Sequence, residues 1–353
     1  MVSNKSLISK KVTIYDVAER AGVSTSLVSI VMNAERGPNG EYLCGASQKT
    51  AKKIIEVADR LGYHSNQAAI SLRLGCTKTI GVVVPDISNM FFADICQTIE
   101  TLAMEAGYLT LMGSSRDREE NVNRLVEKFL FAGVDGMVVT PCPRNIDVIR
   151  KVQNSNIPVV LLDRDITELT DVGRVMIDNV KSGRIAARML IERDCRDTML
   201  IRYETDIHSI LDREAGYMSM MRENGFNPKV SVLAKDKMNM DIVPVLKEAV
   251  RNGVKGVVLP SNSIMLAGVA AVNKLGLKIP EDIEVVGFDQ DNRCDIFNPA
   301  ICFVNQPAKL TAESVFTMLH SAMNGEPQLT LKKLDPLYTH GFGPAQKGSP
   351  STR

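Results

Sequence analysis

Two rhythms of apolar residues divide this chain. Up to about residue 75 they recur every third or fourth position, the period of a helix buried on one side. From Thr79 they come instead as short unbroken runs between amphipathic stretches. In VTIYDVAERAGVSTSLVSIVMN, Val12 to Asn33, the residues Ile14, Val17, Ala18 and Ala21 form the stripe of a first short helix. Thr13 is placed to cap it, with Asp16 near its positive end. Gly22 stands where the chain must leave that helix through the left-handed region, which glycine enters without steric cost. Ser24 caps a second helix with Val28, Val31 and Met32 on its inner face. Ile54, Val57, Ala58 and Leu61 predict a third, opened by Ser47 and closed by Gly62. Ser65 to Gly75 carries a fourth, shorter helical pattern.

Beyond Thr79 the runs predict strands at Ile80–Val84, Tyr108–Met112, Met137–Thr140, Val159–Leu162, Met199–Tyr203, Val257–Leu259 and Val285–Phe288. Helical runs such as Ala93–Ala106, Val122–Phe131, Gly183–Glu192 and Ile264–Leu275 lie between them. Continuous apolar strands alternating with helices imply parallel sheets covered on both faces. There are too many strands for one compact sheet, so two α/β lobes are expected. Gly341–Arg353, rich in Gly, Pro and Ser, reads as a disordered tail.

Composition changes this picture little. The chain has 353 residues, 44% hydrophobic and 24% charged, which suits a globular protein of two or three domains. No apolar run approaches a membrane span, and MVSNKSLISKK lacks the apolar core of a secretory signal, so a cytoplasmic location and no membrane partner are expected. Seven cysteines, an odd number without any C-x-x-C pair, argue against a disulfide framework and against zinc. Charge says more. The overall +1 hides a basic first 78 residues, with eleven Lys and Arg against six Asp and Glu, joined to an acidic remainder of net −4. A basic arm on an acidic body fits a nucleic-acid contact.

Two short helices around a tight turn serve equally as a helical hairpin in a core or as a DNA-reading helix-turn-helix. In the second case Thr25, Ser26, Ser29 and Ile30 lie on the outer face at the start of the recognition helix. In the α/β part, ligands of open sheets bind beyond the carboxyl ends of strands. Those ends carry Asp86, Asp163-Arg164, Ser261-Asn262 and Asp289. Carboxylate, guanidinium and amide groups together suit a polyhydroxylated ligand, whose hydroxyls both donate and accept; singly, each reads as well as a cap or an ion pair. The chain contains no G-x-S-x-G, no H-E-x-x-H and no phosphate-loop motif, and its four histidines stand apart. No catalytic residue, metal or cofactor is expected, and the chain does not read as an enzyme.

TIYDVAERAGVS followed by VS, LGY, the N-x-x-A-x-x-L of Asn66, Ala69 and Leu72, and TIGVVVPDISN-x-FF resembles the LacI/GalR family of bacterial transcription regulators. The resemblance extends from about Val12 to about Tyr338. It implies a helix-turn-helix head over residues 1–64, a hinge helix and linker over 65–78, and an effector-binding, dimerising domain over 79–340 of periplasmic-binding-protein type. Lobe one would comprise 79–178 and 308–326, and lobe two 179–307 and 327–340. The head residues implied to meet DNA are Thr13, Tyr15, Ser24, Thr25, Ser26, Ser29, Ile30 and Asn33. In the hinge, Asn66, Ala69 and Leu72 would follow, with Leu72 wedged into the minor groove. Mapped by motif, the effector contacts fall on Asn89, Phe91, Phe92, Asp163, Arg164, Arg213, Asn262, Asp289 and Gln306. All nine carry the residue type of ribose-binding receptors, which favours a monosaccharide or related polyol. The partners implied are a pseudo-palindromic double-stranded operator, that effector and a second copy of the chain. The role implied is repression, with the sign of the effector's action left open between release and co-repression.

Three departures stand out. Ile30 replaces an arginine that many relatives direct at guanine; isoleucine packs on a thymine methyl instead. The segment Ala34 to Gly45, AERGPNGEYLCG, is longer than usual, with Asn39-Gly40 suggesting a hairpin turn. It reads either as a solvated insertion or as a backbone contact through Arg36. Ser263 stands where relatives often have Asp. A transport receptor sharing the two lobes is the alternative function, but it would not begin with such a head.

Overall fold

The computed structural model describes residues 12–63, 75–289, 301–326 and 331–339. Contacts divide the chain into two units, Met1–Thr77 and Lys78–Arg353.

In the first unit, α1 (Ile14–Ala21) and α2 (Thr25–Met32) meet α3 (Gln48–Leu61) around one small core. The Asp16 carboxylate accepts from both the N–H and the hydroxyl of Thr13 at 2.7 Å, and Ser24 Oγ accepts from Leu27 N–H. Gly22 leaves α1 at φ 69°. Val17, Ala18, Ala21, Val28, Val31, Ile54 and Ala58 are buried as their spacing requires. The long connection between α2 and α3 is an antiparallel hairpin, β1 (Glu35–Arg36) with β2 (Tyr42–Leu43). Tyr42 is buried in the head core, and the Gln48 amide clasps its backbone, accepting from its N–H and donating to its carbonyl, both at 2.8 Å.

In the second unit the chain builds two six-stranded sheets. Lobe one is entirely parallel, with β3 (Thr79–Val84), β4 (Leu109–Ser114), β5 (Gly136–Val139), β6 (Val159–Leu162), β7 (Gly173–Ile177) and β13 (Leu331–Leu334) in the order β13-β7-β6-β5-β3-β4. Lobe two uses β8 (Thr198–Tyr203), β9 (Lys229–Leu233), β10 (Gly256–Leu259), β11 (Glu284–Phe288), β12 (Cys302–Asn305) and β14 (Leu337–Thr339). Their order is β14-β12-β11-β10-β8-β9, with only β14 antiparallel to its neighbour. Central strands such as β3, β5 and β6 feed both faces. Ile80, Val82 and Val84 enter one core of lobe one and Val83 the other. That is why central strands read as unbroken apolar runs.

One domain assignment needs correction. Residues 327–340 do not all belong to lobe two, because Leu331–Leu334 pairs in parallel with β7 of lobe one. Its sequence, LKKL, is that of an edge strand with polar residues facing water, and carries no sign of which sheet it joins. The chain therefore crosses between lobes after β7, after β12 and again between β13 and β14. The helix Ala308–Met323 packs on lobe one against β7, β5 and β6. The expected tail falls outside the described residues.

Candidate effector pocket and DNA-reading head

Between the two lobes lies a cavity of about 590 Å³. Asn89, Phe91, Phe92, Asp163 and Arg164 line it from lobe one, and Arg213, Asn262, Asp289 and Gln306 complete it. The nine positions singled out along the sequence therefore meet in one place, although they come from six separate segments.

The two lobes use the same device. Asp163 ends β6 and Asp289 ends β11, both with positive φ, 64° and 59°. Aspartate tolerates this region better than most residues, and such strain concentrates at ligand sites. Each backbone N–H is tied to the neighbouring strand, Asp163 to Val175 O at 2.9 Å and Asp289 to Val304 O at 3.1 Å. The left-handed turn thus sets each carboxylate at a strand's end. Burial raises the pKa of both carboxyls; the Arg213 charge opposes it in each, joined by Arg164 at Asp163 and by a Gln306 hydrogen bond at Asp289.

Arg213 is held before any ligand arrives. Its Nε donates to Asn179 Oδ1 and its Nη1 to the Pro260 carbonyl, both at 2.8 Å, and its guanidinium lies over the Phe288 ring at 4.5 Å. Nη2 takes no part in these bonds. The helix carrying Arg213 (His208–Glu223) lies against Asn179–Glu192 so closely that a Cβ on Gly183 would overlap the Arg213 carbonyl oxygen. Asn262 Nδ2 reaches the Asp289 carbonyl at 3.3 Å, and Gln306 Nε2 donates to Asp289 Oδ1 at 2.8 Å.

Other atoms are left over. Asp163 Oδ1, Arg164 Nε and Gln306 Oε1 are buried without a hydrogen-bond partner. Each such atom costs about 1–3 kcal/mol unless something pairs with it. Two acceptors and one donor around one cavity are what a polyol can satisfy. Phe91 and Phe92, buried and edge to face at 4.9 Å, supply an apolar wall. Asn89 divides its amide: Oδ1 caps the helix Met90–Glu105 by accepting from Phe91 N–H. Asp86 closes its own loop, its Oδ1 accepting from the N–H and hydroxyl of Ser88. Asp117, just past β4, and Lys235, just past β9, also line the cavity; neither belongs to a motif of the resemblance.

On the head, Tyr15 is 73% exposed and Ile30 48%, large apolar side chains left in water on one helix each. Ser26 is exposed, and Thr25 and Ser29 are partly so. Asn33 donates from Nδ2 to Ser29 O at 2.6 Å and Ser24 caps α2, so both also shape the helix that carries them. Arg36 lies over Tyr42 at 4.9 Å and donates to its hydroxyl. Asn66, Ala69 and Leu72 lie outside the described residues.

Two family models match, one of the lacI family of bacterial regulatory proteins over residues 13–66 and one of the periplasmic binding protein-like domain over 187–338. The chain thus carries a lacI-family helix-turn-helix domain and a periplasmic binding protein-like domain. Among its relatives, the HTH-type transcriptional repressor PurR of Erwinia tasmaniensis is 29% identical, across 87% of this chain and 89% of the repressor. Catabolite control protein A of Priestia megaterium is 27% identical across 89% and 93%. The fold is that of the lac repressor dimer solved with operator and the anti-inducer ONPF, at TM-score 0.77 and 21% identity over 94% of this chain and 98% of that one. A lacI-type regulator from Alkaliphilus metalliredigens complexed with D-xylulofuranose matches at TM-score 0.67 and 24% identity, over 75% and 98%. The chain is a DNA-binding transcription regulator with a ligand-binding sensor domain.

Proposed function

We propose that the chain represses transcription from a pseudo-palindromic operator and that a monosaccharide or related polyol, bound between the lobes, switches its affinity for that site. The observation that carries the effector reading is the convergence of nine ribose-type residues on one interlobe cavity with buried, unpartnered hydrogen-bonding atoms. The relative complexed with D-xylulofuranose, a five-carbon sugar, supports that class of ligand. Asp163 and Asp289 accept from ring hydroxyls, Arg164, Arg213 and Asn262 donate, and the two phenylalanines cover an apolar sugar face.

On the DNA side, Tyr15, Thr25, Ser26, Ser29 and Ile30 face base edges, Thr13, Ser24 and Asn33 frame the recognition helix, and Asn66, Ala69 and Leu72 serve the hinge. Two heads read two half-sites, which requires a second copy. Met104, Leu109, Leu111 and Met112, exposed apolar residues around the edge strand β4 of lobe one, give that copy a surface to cover. Such work on DNA places the protein in the cytoplasm and involves no turnover. Calorimetry against a panel of pentoses and hexoses, with operator selection in the presence and absence of each sugar, tests the reading. Heat from one pentose, together with a changed yield of one half-site, is expected. Silence across the panel would remove the effector, and retention of DNA without sequence preference would remove the operator.

A further inference from the structure

Asp117, in the turn after β4, puts one carboxylate between cations of both lobes. Its Oδ1 accepts from Arg164 Nη2 at 2.8 Å within lobe one. Its Oδ2 meets Lys235 Nζ at 3.1 Å, and Lys235 follows β9 of lobe two. Here a hydrogen bond joins the lobes across the mouth of the effector cavity, between residues 118 positions apart.

Both ends are placed beforehand. Arg116 and Asp117 each have φ 54°, a conformation that non-glycine residues seldom keep without support. The support is a pair of backbone bonds to the end of β3, Ser115 N–H to Val84 O at 2.9 Å and Arg116 N–H to Pro85 O at 2.6 Å. Lys235 is steadied by the ring of the buried Tyr203, 5.0 Å away. Arg164 is the link to the ligand, since its Nη2 is taken by Asp117 while its Nε is buried without a hydrogen bond, 3.9 Å from Asp163 Oδ2. Burial works against the charge on Asp117, but Arg164 and Lys235 outweigh it and hold the carboxyl below its ordinary pKa.

We propose that Asp117 and Lys235 are positioning residues of the effector site, an interlobe clasp that orients Arg164 and favours the closed arrangement of the lobes. The proposal rests on the effector reading above for its ligand and on the observed geometry for the clasp. Asp117 and Arg164 side chains are 20% and 11% exposed, whereas Lys235 is 50% exposed. The lobe-two half of the clasp is therefore the half that salt can screen, over a Debye length of about 10 Å at 0.1 M and about 3 Å at 1 M.

Lys235 gives the cleaner test, because it touches Arg164 only through Asp117 and its half-exposed side chain makes misfolding of a variant easy to avoid. The full chain is titrated calorimetrically with D-ribose at 0.1 M and 1 M salt as wild type, Lys235→Met and Lys235→Arg. Separately, spin labels on non-canonical residues at the exposed positions Lys128 and Lys247, one per lobe, report the lobe-to-lobe distance without sugar, with labelled chains diluted in unlabelled ones. Lys235→Met is expected to weaken D-ribose binding about tenfold, to flatten the salt dependence and to lengthen the mean distance, with Lys235→Arg within about threefold of wild type. If Lys235→Met keeps the wild-type affinity, salt slope and distance, the clasp is overturned. If wild type itself ignores D-ribose, the effector reading suffers and the ligand-free distance alone decides: a longer one upholds the clasp, an unchanged one sinks it.

Discussion

Asp289 carries opposite demands from folding and from binding. Its carboxyl is buried at positive φ, with its pKa raised chiefly by burial. A raised folded pKa means the folded protein binds the proton more tightly than the unfolded chain does. The resulting loss of stability is absent below the unfolded value of about 3.9, grows as pH rises past it and is complete above the folded pKa. Asp289→Asn removes the charge, and asparagine accepts the left-handed conformation. At pH 7 the variant is expected to be more stable without ligand by about 1 kcal/mol, with an advantage that shrinks as pH falls toward 4. It should bind sugar at least about tenfold more weakly, having lost a charged acceptor. Melting curves across pH, paired with calorimetry, check both halves. A less stable variant at pH 7 would contradict the account. At Ile30, 48% exposed on the recognition helix, Ile30→Arg is expected to change the preferred base from one bearing a thymine methyl to guanine, worth about 1–3 kcal/mol of discrimination. Selected-site sequencing of both proteins would show the change at a single step of each half-site or refute it.

At the scale of elements, the site depends on how closely two helices of lobe two approach. Gly183 meets the Arg213 backbone, and Gly216 meets the Val180 carbonyl from the other side. A methyl group at Gly183 must push the helices apart and carry Arg213 away from Asn179 and Pro260. Gly183→Ala is therefore expected to destabilise the sensor by about 1–3 kcal/mol and to weaken sugar binding, while the head still unfolds where it did. An unchanged calorimetric profile would show that the contact can relax elsewhere. The hairpin of the head is a second such element. Asn39-Gly40 signalled its turn, and Gly40 does adopt φ 78°. Its attachment was not legible, because Gln48 is an ordinary polar residue at a helix start until Tyr42 comes within reach. Gln48→Ala should cost the head about 1–3 kcal/mol by removing the side-chain partner of the Tyr42 N–H, while the Tyr42 carbonyl keeps the Cys44 N–H; the loss is seen as a lower first transition in melting with the sensor unaffected. Elements missed along the chain fall into two groups. β9, β13 and β14 are edge strands with alternating or polar residues, so they lack the unbroken apolar run that marks a central strand, whereas β7 and β12 lie inside their sheets but offer only short runs, β7 with alternating burial.

For the whole molecule, the proposed switch links three binding events. Operator binding by a basic head displaces counterions, so its affinity is expected to fall steeply and linearly in log units as salt is raised, at slope about −0.9 per phosphate contacted. The sugar can shift operator affinity only by its differential affinity for the two arrangements; moving from mostly bound to mostly free takes about 5 kcal/mol. The coupling must be reciprocal. If a sugar weakens operator binding by some factor, operator DNA must weaken sugar binding by the same factor. Unequal factors, measured by fluorescence anisotropy and calorimetry in one buffer, would mean that the two ligands do not act on one shared equilibrium.

What the chain determines by itself is what depends on near neighbours. Caps, the glycine exit at Gly22, helical stripes and apolar strand runs are set within a few residues, so the head helices and the central strands other than β7 and β12 were legible. The nine pocket residues were legible for a different reason: each sits in a short motif, at a strand end or helix start except for Arg213 within the helix His208–Glu223, and the motif travels with it. Tertiary structure alone decided that Leu331–Leu334 returns to lobe one, that Gly183 and Gly216 let two helices touch, and that Asp117 meets Lys235 across the cavity. Each of these joins segments distant in sequence through groups whose local surroundings are ordinary. Only the folded backbone brings them within hydrogen-bonding or van der Waals range, and no spacing along the chain records that distance.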